Sequence, residues 1–79
     1  MQKMLEQLEI YFEREYKDTA ECIARGVTWA TPKELVDGAI KRCLGATMFI
    51  QYCGVAYASL GIYDIYKEKL ENLLKAKET

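Results

Sequence analysis

Residues 43–63, CLGATMFIQYCGVAYASLGIY, hold no charged side chain, in a chain of 79 residues of which 29% are charged. A run of this length admits three readings: a membrane span, a helix buried on all sides, or two elements joined by a turn. Its composition disfavours the span. Gly45, Gly54, Gly61, Thr47, Gln51, Ser59 and the tyrosines 52, 57 and 63 dilute the apolar content. Gly54-Val55 has the form of a helix stop followed by an apolar residue. Splitting the run there leaves two pieces, each too short for a bilayer. The run therefore predicts the end of one helix and the start of the next.

Upstream of it, Thr31-Pro32-Lys33-Glu34 supplies the start of the helix that the run completes. A threonine hydroxyl caps a free amide, proline suits the first helical position, and Glu34 closes a capping box. Leu35, Val36, Ala39, Ile40 and Cys43 then recur at helical spacing. Further upstream, Met1, Met4, Leu5, Leu8, Tyr11, Phe12, Tyr16, Thr19, Cys22 and Ile23 fall within an arc of roughly 140° on a helical wheel. Gly26 follows as a left-handed stop. Glu13–Lys17 and Glu21–Arg25 are acid-before-base pairs one turn apart on this first helix. Downstream of the run, Ile62, Tyr63, Tyr66, Leu70, Leu73 and Leu74 share one face of a third helix. The sequence predicts one all-α domain over residues 1–79, an antiparallel three-helix bundle with helices at about 2–25, 32–53 and 58–76. Trp29, in the first loop, is expected to plug one end of the bundle; the alternative is a hot spot for a partner.

Two charges break the pattern. Glu15 projects into the apolar arc of the first helix, and Arg42 lies at the edge of the arc of the second. In a hairpin where Arg25 faces Pro32, residues at one level have numbers that add to about 57, as Glu15 and Arg42 do. They are expected to form a partly buried ion pair that sets the register.

The second helix is amphipathic only in its first half. Its wet side carries Lys33, Glu34, Asp37 and Lys41, then continues as Met48 and Tyr52, flanked by Leu44 and Phe49. A helix apolar nearly all round needs more than one neighbour. Unless the third helix crosses this face, Leu44, Met48, Phe49 and Tyr52 form an interface with another chain, methionine and aromatics being usual at such surfaces. The expected arrangement is a homodimer joined through the second helix, or a complex with a larger protein. A second candidate is a cleft lined by Tyr52, Tyr57, Tyr63 and Tyr66 at the junction of the second and third helices, suited to a small aromatic ligand.

Composition narrows the function classes. A net charge of −1 gives no basic footprint for nucleic acid. There is no histidine, and Cys22, Cys43 and Cys53 lack metal-ligand spacing, so no metal and no cofactor is expected. No nucleophile–base pair or phosphate loop occurs, so the expectation is a non-enzyme. Three cysteines and a polar start, Met1 to Glu6, read as a cytoplasmic protein with reduced thiols. The function expected is a small interaction module, structural or accessory. Its size and composition suit an accessory protein of bacteria or their phages, including a modulator of a larger host protein. The alternatives are a small-ligand binder using the tyrosine cleft and a membrane-associated helical peptide.

Overall fold

A computed structural model places the chain in three α-helices: α1 at Gln2–Arg25, α2 at Pro32–Tyr52 and α3 at Ala56–Glu78. The structure describes residues 2–52 and 56–78, and the side chains of 3–49 and 59–76. Met1, Cys53, the stop expected at Gly54-Val55, and the side chains of Tyr52 and Tyr57 lie outside the described residues. The helices pack pairwise, each against both others, as an antiparallel three-helix bundle. Among the described residues no helix is long and apolar enough to cross a membrane.

Local chemistry accounts for the joint between α1 and α2. Gly26 takes φ 70°, and its N–H donates to the carbonyls of both Cys22 and Ile23 at 3.2 Å. That conformation is open to glycine and strained for other residues. At the start of α2 the capping box closes: the Glu34 N–H donates to Thr31 Oγ1 at 3.2 Å, and the Thr31 N–H donates to Glu34 Oε1 at 3.1 Å. Two free amides are thereby satisfied at the helix start. The third helix starts at Ala56 rather than near 58 and runs past 76 to Glu78. Alanine is the strongest helix former, and no breaker separates Ala56 from Ser59.

Leu8, Phe12 and Ile23 of α1 meet Val36, Ala39 and Cys43 of α2 and Tyr63, Tyr66 and Leu70 of α3 in one core. Phe12 is fully buried, and the Tyr66 ring meets it edge-on with centroids 5.5 Å apart. Burying such a ring stabilises the fold by about 2–3 kcal/mol. Thr47 and Ser59 are fully buried as well. The Thr47 hydroxyl donates to the Cys43 carbonyl at 2.8 Å, so it enters the core without losing a hydrogen bond. Small residues at these depths let α2 and α3 lie close.

Trp29 departs from expectation. It is 71% exposed in the α1–α2 loop and plugs nothing. Six loop residues pinned by Gly26 on one side and the capping box on the other hold it outside the core.

Candidate functional site

Glu15 and Arg42 meet across α1 and α2. Arg42 Nε donates to Glu15 Oε2 at 2.8 Å, with Glu15 largely sheltered and Arg42 half in water. Gly38, one turn before Arg42, leaves room for the guanidinium; a Cβ there would stand 3.4 Å from Arg42 Nη1. This pair sits on the seam of α1 and α2 and marks where an apolar surface begins.

Below the pair, toward the C-terminal end of α2, lies an open groove of about 400 Å³. Met4, Leu8 and Tyr11 of α1 and Ala46 of α2 line it, and Phe49 forms its outer side. Phe49 is 70% exposed. Met48, beside it on the back of α2, is 57% exposed, and Leu44 one turn earlier is exposed too. The third helix therefore does not cross this face over the described residues. Of the four residues proposed for the interface, Leu44, Met48 and Phe49 lie together on the outside of α2; the Tyr52 side chain is not described.

The sequence reading missed two extensions of the surface. One is the groove itself, formed by residues 35 or more positions apart in the chain. The other is Leu60, exposed on α3. On the wheel Leu60 falls on the far side of Leu70 from Tyr66 and Lys69, which face α1, so it borders α2. Its leucine identity within an uncharged run was the available signal. Ile10 and Ile65 are exposed as well. Ile10 sits among Glu6, Glu9 and Glu13 in an acidic depression, and isolated apolar side chains of that kind need no partner.

The tyrosines are distributed differently. Tyr63 and Tyr66 are buried in the core. The Tyr66 hydroxyl donates to Glu13 Oε2 at 2.7 Å, on α1 and away from the α2–α3 junction. Lys69 Nζ lies 3.8 Å from the same carboxylate and 4.8 and 4.7 Å from the ring centroids of Tyr16 and Tyr66. Glu13 thus turns to α3 and makes no ion pair with Lys17, whereas Glu21 and Arg25 do pair, at 2.9 Å. The hydrogen bond from Tyr66 holds the Glu13 carboxyl below its ordinary value. Burial, with Glu13 as acceptor, pushes the Tyr66 hydroxyl up to about 12.

Burial pushes the Cys43 thiol up to about 11, Glu15 adding to the effect, so it stays protonated and unreactive at neutral pH. Among the described residues no cluster of histidine, cysteine and carboxylate side chains is placed to hold a metal. What the surface of α2 offers is contact area. Set against family models, curated proteins and solved structures, the chain matches none of them.

Proposed function

We propose that this chain is a protein-interaction module with no chemistry of its own, and that it self-associates through the outer face of α2. One observation carries the reading: Leu44, Met48 and Phe49 stand exposed on the outside of α2, and Phe49 joins them to an apolar groove between α1 and α2. A contiguous apolar surface of this kind on a small domain marks an interaction site. A chain of 79 residues also gains stability from association, because its own core is small for its surface. Cys22 and Cys43 as free thiols suit a reducing cytoplasmic setting.

Light scattering over a range of concentrations tests the reading. The mass should rise from the 9.1 kDa of one chain toward twice that value. Met48→Lys should hold the protein at one chain without loss of helicity. A strict monomer at all concentrations, unchanged by Met48→Lys, overturns self-association. The same face suits a larger protein partner, and affinity capture from the native host with Met48→Lys as control addresses that case.

A further inference from the structure

We infer that the groove between α1 and α2 binds a single-chain amphiphile with an anionic head. The alkyl tail lies against Met4, Leu8, Ala46 and Phe49, and the carboxylate sits at Lys3. This goes beyond the self-association proposed above and does not depend on it, although Phe49 serves both surfaces.

Size and lining fit a small molecule. The groove holds about 400 Å³, within the range usual for ligand pockets. Its surface is almost wholly hydrocarbon, since Lys3 and Gln7 border it through their stems. A ligand rich in hydrogen-bonding groups would lose water there and gain few partners. An alkyl chain suffers no such loss. From Lys3 to Tyr11 the groove follows two turns of α1, about 12 Å. At about 1.5 Å per C–C bond, shortened by the zigzag, that length takes a chain of roughly ten carbons. Beyond Tyr11 the Glu15–Arg42 pair closes the seam with polar groups.

Charge selects the head group and its direction. Among the described residues, Lys3 alone brings a charge to the groove's lining, and it joins no ion pair with another of them. The first turn of α1 carries no acid, so the free amides of the helix start add to the positive field. Glu6, Glu9 and Glu13 of the same helix line a separate depression with Tyr66. At the far end burial, and after it the Glu15 carboxylate, raise the Tyr11 hydroxyl. A further negative charge is unfavourable there. The head therefore stays at Lys3, which is exposed, and the tail runs toward Tyr11. A single cation at one end of a hydrocarbon groove matches a molecule with a single terminal anion.

Titration calorimetry, below the micelle concentration of each probe, tests the site. Decanoate should saturate one site per chain, at least about tenfold more tightly than decyltrimethylammonium. From hexanoate to decanoate each added methylene should tighten binding about two- to fourfold. Dodecanoate and tetradecanoate should add little, because the tail then reaches the Glu15–Arg42 pair. Lys3→Glu should reverse the preference between the two head groups. Ala46→Trp fills the groove and should abolish binding of both. Circular dichroism checks that the variants stay folded; Lys3 is exposed, so its variant decides the matter even where Ala46→Trp does not fold. Equal binding of the two head groups, affinity that keeps climbing past decanoate, or decanoate binding unchanged in folded Ala46→Trp overturns the site. So does the absence of saturable binding. Light scattering without ligand reads self-association separately, so either reading can fail while the other stands.

Discussion

Arg42 on α2 donates through Nε to Glu15 Oε2 on α1 at 2.8 Å, and the partners differ in their access to water: 16% for the Glu15 side chain, 55% for that of Arg42. The inequality sets what each deletion does. Without Arg42, a carboxylate is left in a sheltered, mostly apolar site. Without Glu15, a guanidinium turns to solvent. Arg42→Met should lower stability by about 1–2 kcal/mol. Glu15→Met should change it by less than about 0.5 kcal/mol, because the site already favours apolar packing. The double variant should return close to wild type. Urea denaturation of the four proteins gives the comparison, and equal losses from the two single variants would contradict it.

The bond from Tyr66 to Glu13 predicts sensitivity to acid. The Glu13 carboxyl titrates lower in the folded protein than its ordinary value of 4.5, chiefly because it accepts the Tyr66 hydroxyl. Stabilisation from this bond is complete above that ordinary value and is lost as pH falls through the lower folded one. Tyr66→Phe should cost about 1 kcal/mol at pH 7. It should also flatten the fall in melting temperature between pH 5 and pH 3. A variant as acid-sensitive as the wild type would assign the fall to other carboxylates.

Alkaline pH should unfold the protein in two overlapping stages. Burial keeps the Cys43 thiol protonated, raised from 9.0 to about 11, and the Tyr66 hydroxyl, raised from 10.0 to about 12. For a group raised in the folded state, stability is complete below the unfolded value and falls as pH rises toward the folded one. Loss should begin near pH 9 with Cys43 and continue past pH 10 with Tyr66. In Cys43→Ala the onset should move up by about one pH unit, although the variant is less stable at pH 7 by about 1 kcal/mol from lost packing. Thermal melts between pH 7 and pH 11 show the onset.

Glycines divide by backbone conformation. Gly45 and Gly61 are helical and exposed, and a Cβ on either meets nothing within 4 Å. Alanine at each should raise stability by about 0.5–1 kcal/mol. Gly26 holds φ 70°, so alanine there should lower stability by about 1–2 kcal/mol despite open space around it. Chemical denaturation midpoints decide it; a gain at Gly26 would contradict the helix-stop account.

Much of the architecture was legible because it is written in short-range pattern. The limits of α1 and the start of α2 follow from helical period, from Gly26 and from the Thr31–Glu34 box, each of which acts within one turn of backbone. The Glu15–Arg42 contact was reached by counting back from the loop, a step that works because a short connection leaves an antiparallel pair little freedom to slide. Burial of polar residues was not legible in this way. Thr47 and Ser59 dilute the apolar content of the uncharged run, yet both are fully buried, and the Thr47 hydroxyl is satisfied by its own helix. Trp29 read as a plug because apolar mass usually finds a core, and the pinned loop gives it none.

Helix positions, their ends and the greasy second half of α2 are local properties of the chain, readable from hydrogen bonding and side-chain spacing along one element. Which side of α2 faces water is not local. It depends on how α1 and α3 divide the circumference of α2, and that follows from small residues such as Cys43 and Thr47 admitting α3 on one flank and from Glu15 fixing α1 on the other. Glu13 likewise faces Lys17 in the sequence and Tyr66 in the fold, 53 residues away. Contacts of that range come from packing three helices at once, and they left Met48 and Phe49 outside.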